Sequence, residues 1–163
     1  MTLLREFKTA CVALLVLSVL TGLLYPLAIT GAARLCFPAR AGGSLVVLDG
    51  VVRGSELVGQ EFRDARWFHG RPSATAYGGK PSGGSNLGPT NPELARAFVE
   101  RAAELRARGL EGPLPVDLLT SSASGLDPHI SPAAARAQVA LVAQARGLDE
   151  ERVLTLVEEH VEG

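Results

Sequence analysis

An α+β domain carried on one N-terminal transmembrane helix is the architecture this sequence predicts. Three observations predict it. An uncharged run lies near the start, an Asp-Gly pair separates two β-branched runs, and three later stretches combine helical periodicity with helix-end signals. The expected divisions are 1–8 before the membrane, 9–33 across it and 34–163 beyond it.

Thr9 to Ala33 holds no charged side chain. That run is about 25 residues, and roughly 20 suffice for a helix to cross the hydrocarbon core. Arg5 and Lys8 flank one end and Arg34 the other. Pro26 lacks an N–H and is expected to bend the helix, with Gly22 one turn earlier. Ser18 with Gly22, and Ala28 with Ala32, have the small-xxx-small spacing that lets helices approach in lipid. A cleaved signal peptide has a shorter apolar core of roughly 7–15 residues, so a retained anchor is expected. Cys11 and Cys36 would sit about 37 Å apart on one continuous helix, too far for a disulfide. The positive charges on the two flanks nearly tie, so the positive-inside rule leaves the orientation open.

Gly42-Gly43-Ser44 reads as a linker. Ser44 to Val52 reads as a hairpin turning at Asp49-Gly50, and Gly54 and Gly59 are expected to interrupt the next stretch. From Gly70 to Pro92 the chain is rich in Gly, Ser, Pro, Asn and Thr, and Trp67, Phe68 and Tyr77 favour an ordered loop there. A helix is expected from Thr90, Pro92 and Glu93, which have capping-box spacing, through Leu94, Ala97, Phe98, Ala102 and Leu105 to a stop at Gly109-Leu110. Pro113 to Val116 reads as extended and Asp117 to Thr120 as a short strand or turn. Ser131 and Pro132 open a second helix ending at Gly147-Leu148. Asp149 caps a third, with Val153, Leu156, Val157 and His160 or Val161 along one side; the two form an αα-hairpin.

Net charge is −1, which removes bulk electrostatic attraction to nucleic acid as a theme. His69, His129 and His160 have no metal-ligand spacing. Asp127 and His129 form a close acid–histidine pair. One reading is a membrane-tethered hydrolase using both; another has Asp127 holding a turn while His129 bonds backbone or meets a partner. Gly79-Lys80-Pro81 fails as a phosphate loop, because Pro81 replaces Ser or Thr and Ala74 stands where a glycine is needed. Ser82-Gly83-Gly84-Ser85 can still present N–H groups to an anion, which makes an anion-binding module a further reading.

Several stretches point to one family. They include Thr21-Gly-Leu-Leu-Tyr-Pro26, Trp67-Phe-His-Gly-Arg-Pro-Ser-Ala74, Gly83-Gly-Ser-Asn-Leu-Gly-Pro-Thr-Asn-Pro92, Val116 to Pro132 and Ala145-Arg-Gly-Leu148. In these the chain resembles the C subunit of the bacterial Kdp potassium-transporting ATPase, the KdpC family. The resemblance implies a single-pass protein of the cytoplasmic membrane, with a cytoplasmic N-terminus and an extracytoplasmic main domain. It implies three partners: a P-type ATPase subunit, a channel-like potassium-translocating subunit and a small single-span subunit. Potassium is then the ion the complex transports. ATP, shared with the ATPase subunit, is the implied nucleotide, and the implied role is a catalytic chaperone rather than an enzyme. The chain lacks the Asp-Lys-Thr-Gly phosphorylation motif of P-type pumps. Ser82, Gly83, Gly84, Ser85, Asn86, Asp127 and His129 are the candidate contacts to partners or nucleotide. Two departures stand out: Arg34 replaces the family's usual Gln, and family members usually continue past Gly163 through another apolar segment.

Overall fold

The computed structural model describes residues 2–162. The chain forms two compact units, the first reaching Ser55 and the second starting at Glu56.

In the first unit, α1 (Thr2–Val19), a π-helical turn (Leu20–Leu24) and α2 (Tyr25–Cys36) run end to end. Together they make one helix of 35 residues, long and apolar enough to cross a membrane, about 52 Å at roughly 1.5 Å per residue. The helix outruns the expected 9–33 span at both ends, carrying Arg5, Glu6, Lys8 and Arg34 within it. No residue of it is buried. The π-turn is how the helix passes Pro26. The proline ring crowds the carbonyl four residues back, and the Tyr25 N–H donates to the Leu20 carbonyl, five residues back. That wider turn makes room just before the ring. Thr21 Oγ1 donates to the Leu17 carbonyl at 2.7 Å, adding a second bond to the same stretch. Cys11 and Cys36 are both free and exposed.

A single turn, α3 (Pro38–Ala41), follows. The glycine linker is a defined turn: Gly43 and Ser44 take φ of 92° and 46°, and Ser55 Oγ donates to the Gly43 carbonyl at 2.7 Å. Strands β1 (Leu45–Leu48) and β2 (Val51–Ser55) pair antiparallel. Asp49 and Gly50 both have positive φ, 53° and 74°, as a two-residue primed turn requires. Val46 faces Gly54 while Val47 faces Val52, so Arg53 is the extra residue of a bulge. Gly54, expected to interrupt the chain, therefore lies inside a strand.

The second unit contains α4 (Pro92–Ala107), α5 (Val116–Leu119), α6 (Pro132–Arg146) and α7 (Glu150–Glu159). Three local expectations are corrected. The cap of α4 is Asn91, not Thr90, with its Oδ1 accepting the Glu93 N–H at 2.9 Å; Pro92 then falls at the first helical position, where its missing N–H costs nothing. Val116 to Leu119 is a helical turn started by Pro115, so Val116 is not extended and Asp117 to Leu119 take the turn rather than the strand alternative. Asp149 occupies the cap position of α7 without a side-chain capping bond. The stops are as expected. Leu110 N–H reaches the Leu105 carbonyl at 3.1 Å and Leu148 N–H the Ala143 carbonyl at 2.9 Å, each across a glycine of positive φ.

Helix α6 is the centre of the unit. Its Val139, Val142 and Ala143 pack with Val153 of α7, alongside Phe68 and Val157. Its Ala134 packs with Leu110 and Leu118, alongside Leu105, Ile130 and Leu141. Gly109 holds φ of 94°, and a Cβ there would lie 3.2 Å from Leu141 Cδ2. Gly109→Ala is therefore expected to cost about 1 kcal/mol, measurable as a lower denaturation midpoint with an unchanged slope.

Candidate functional site

The two polar stretches lie against each other, joined by backbone and side-chain hydrogen bonds. Gly83 N–H and Ser82 Oγ both donate to the Ser124 carbonyl at 2.9 Å. Ser122 N–H donates to the Pro72 carbonyl at 3.0 Å. Ser73 Oγ donates to the Gly125 carbonyl at 2.7 Å and accepts the Tyr77 N–H at 2.9 Å. The Tyr77 hydroxyl closes the loop onto the Arg71 carbonyl at 2.6 Å; burial, then the nearby Asp127 charge, raise its pKa. The glycines are where the backbones touch. A Cβ on Gly84 would lie 3.1 Å from the Ala123 carbonyl oxygen, and one on Gly59 would lie 2.5 Å from that of Asp127. Of the other candidates, Ser85 is exposed, and Asn86 is exposed with φ of 55°.

Asp127 joins the two stretches through a residue that sequence reasoning missed. Arg71 Nη1 donates to Asp127 Oδ2 at 3.2 Å, and Nη2 to Thr120 Oγ1 at 3.3 Å and the Ser121 carbonyl at 3.4 Å. Arg101 clasps the same stretch from α4, through the Leu119 carbonyl at 2.7 Å and Ser121 Oγ at 2.9 Å. Asp117 fixes its far end, accepting Ser131 N–H at 2.8 Å and Ser131 Oγ at 3.0 Å. The one sequence signal for Arg71 is an arginine inside a loop rich in Gly, Ser, Pro, Asn and Thr. Asp127 Oδ1 also accepts the His129 N–H at 3.1 Å, with the ring Nδ1 3.6 Å away. The His129 side chain is 79% exposed. Asp127 thus holds a turn and an arginine, and the imidazole lies beside its carboxylate while remaining largely exposed. Asp127→Ala is expected to cost about 1.5–3 kcal/mol, the range for hydrogen bonds to a charged group. Partial exposure of both side chains favours the low end, and urea titration of the full chain would measure it.

His69 is held by its backbone. Its N–H donates to Gln138 Oε1 at 2.8 Å and its carbonyl accepts Gln138 Nε2 at 3.1 Å. Burial, then the Arg108 charge, push its pKa below the usual 6.5, against a smaller opposing bond from the Phe62 backbone. A depressed histidine pKa means the folded chain binds the proton less readily than the unfolded one. Its contribution is therefore complete above pH 6.5 and is lost as pH falls through the lower folded value. His69→Asn is expected to flatten the dependence of the denaturation midpoint on pH in that window.

The loop at 82–86 fits a nucleotide poorly when this chain is taken alone. The Ser82 hydroxyl and the Gly83 N–H, two donors that would cradle a phosphate, are both engaged by Ser124, and residues 82–86 contain no cation.

Over residues 7–163 the sequence matches the family described as KdpC, the K+-transporting ATPase c chain. It is 56% identical over 166 residues to the potassium-transporting ATPase KdpC subunit of Sorangium cellulosum (strain So ce56), covering 99% of this chain and 87% of that protein. It is 51% identical over 175 residues to that of Bradyrhizobium diazoefficiens, covering 99% and 87%. Against the subunit from Nitratidesulfovibrio vulgaris it is 52% identical over 168 residues, covering 100% and 84%. With all but the first turn of the apolar helix, the interlocked loops and the C-terminal helical hairpin inside the matched region, this chain belongs to the KdpC family.

Proposed function

We propose that this chain is the membrane-anchored accessory subunit of an ATP-driven potassium uptake pump. Its N-terminus lies in the cytoplasm, its helix crosses the cytoplasmic membrane once, and its main domain works on the outer side. It binds beside a P-type ATPase subunit, a channel-like potassium-translocating subunit and a small single-span subunit. As a catalytic chaperone it stabilises the complex and raises the ATPase subunit's affinity for ATP. A domain outside the membrane does not meet cytoplasmic ATP, so that effect passes through the membrane-embedded partners rather than through a nucleotide pocket of this chain.

The observation that carries this reading is the 35-residue apolar helix with none of its apolar stretch buried. Such a surface needs lipid or other membrane chains around it. The interlocked loops support it, since three arginine and serine clasps hold them as a fixed surface.

The test is co-purification of the complex and its potassium-stimulated ATPase activity. Asp127→Ala and Asn86→Gly are the informative variants; glycine tolerates the positive φ of Asn86, so the second removes the side chain while keeping the backbone. Reduced complex yield, or more ATP needed for half-maximal activity, is expected. Unchanged assembly and ATP dependence in a complex lacking this chain would sink the reading.

A further inference from the structure

We propose that the ridge made by Trp67 is where this subunit grips a partner segment carrying carboxylates next to apolar side chains. The proposal rests on the pump-subunit reading and names the surface that reading leaves open. Trp67 stands between two depressions of about 760 and 380 Å³ and lines both. Phe68, Val153 and Val157 floor the larger, and Leu105, Leu141 and Val142 the smaller. Trp67 is 45% exposed, and its ring centroid lies 5.6 Å from that of Phe62, itself 43% exposed.

The charge around this ridge is one-sided. Arg66 and Arg146 line the larger depression, and Arg63 and Arg108 the smaller. Arg63 and Arg66 are answered within the chain, by Glu61 at 2.9 Å and Asp64 at 2.8 Å. Among the described residues, Arg108 and Arg146 form no salt bridge. Arg146 donates to the Arg66 carbonyl at 2.7 Å and lies 4.7 Å from the Trp67 ring centroid. It acts on the Asp64 charge too, but Arg66 already holds that carboxylate through both oxygens. Among the described residues Arg108 meets the Nδ1 of His69, at 3.4 Å, which supplies no negative charge. Glu162, on the larger depression, is the single acid lining either one among the described residues.

Two guanidiniums without an acid, one beside each depression, call for carboxylates from outside. Trp and Arg at the centre of an apolar patch are the residue types that dominate binding energy at protein interfaces. A second copy of this chain would bring arginines against arginines. Two hollows on opposite sides of a ridge suit side chains from one polypeptide segment better than one small molecule.

Trp67 is the chain's single tryptophan, so a fluorinated tryptophan placed in this subunit alone gives one fluorine NMR signal in the purified complex. A changed shift and reduced solvent-isotope sensitivity are expected on assembly. Arg108→Glu and Arg146→Glu, confirmed as folded by their denaturation midpoints, are each expected to weaken assembly about tenfold. A complex that forms normally while the fluorine signal stays as in the free chain overturns this proposal and leaves the subunit reading standing. A concentration-dependent shift in the isolated chain would place a second copy on the ridge and overturn it as well. Failure of the wild-type chain to join any complex overturns both.

Discussion

Gly125→Val is expected to destabilise the second unit by about 4 kcal/mol. Gly125 holds φ of 69°, and a Cβ there would lie 2.8 Å from the Gly83 carbonyl oxygen, against Thr75 Oγ1 and 3.2 Å from Ser73 Oγ. The left-handed conformation alone costs an ordinary residue roughly 1–2 kcal/mol, and more when the side chain is β-branched. Overfilling a packed site adds about 1–3 kcal/mol. Backbone atoms block the new methyl groups on one side, so relief requires the two loops to separate. Full-length protein in detergent, unfolded in urea and followed by Trp67 fluorescence, would report a midpoint lower by about 2 M at a slope near 2 kcal/mol/M. A midpoint matching the parent would mean the loops are not interlocked as described. The same variant is expected to lose assembly, because the surface formed by residues 82–86 and 119–131 would come apart.

Gln138→Leu is expected to cost about 2–3 kcal/mol. Gln138 is 3% exposed and sits on α6 between the apolar clusters. Its amide satisfies both the N–H and the carbonyl of His69 and also donates to the Ala134 carbonyl at 3.2 Å. Leucine leaves the two His69 groups without partners, at roughly 1–3 kcal/mol each, and the gain in apolar burial offsets only part of that. Gln138→Glu separates bonding from shape. The introduced carboxyl group can still donate to the His69 carbonyl when protonated and cannot when ionised, so its folded pKa is raised. Stability of that variant is then highest at low pH and falls as pH rises through the raised value. A leucine variant as stable as the parent would show that the amide clamp contributes nothing. The clamp also bears on docking, because it fixes the segment that presents Trp67.

The elements readable in the sequence are those made by neighbours a few residues apart. The uncharged run, the Asp49-Gly50 turn and the glycine stops at Gly109 and Gly147 each depend on a short window, and the structure has all of them. The corrections are also local and small in scale. Asn91 and Thr90 are both good caps, and where Pro92 falls in the first turn decides between the adjacent candidates. Val116 to Leu119 gives no helical signal because apolar residues in so short a run carry no period. It becomes a helical turn through the packing of Leu118 against Ala134.

The candidate site is legible in part. Sequence reasoning draws attention to 82–86 and to Asp127 with His129, but not to the residues that tie those stretches together. Arg71 and Asp127 are 56 positions apart, and His69 and Gln138 are 69 apart. Neither pair leaves a spacing or a period in the chain. Gln138 is buried only because α6 has apolar clusters packed on both sides.

The anchor, the hairpin, the helix ends and the family are all written in the order of the residues, because water, lipid and the nearest backbone groups act on each short stretch independently. Folding in three dimensions was needed to lay the glycine-rich loop against Ser122–Gly125, to pair Arg71 with Asp127, and to leave Trp67 exposed between cationic hollows. Those outcomes depend on which distant polar groups must satisfy one another once the core around α6 has closed. An unpaired buried group is costly and many pairings are possible, so the choice among them belongs to the packed chain as a whole.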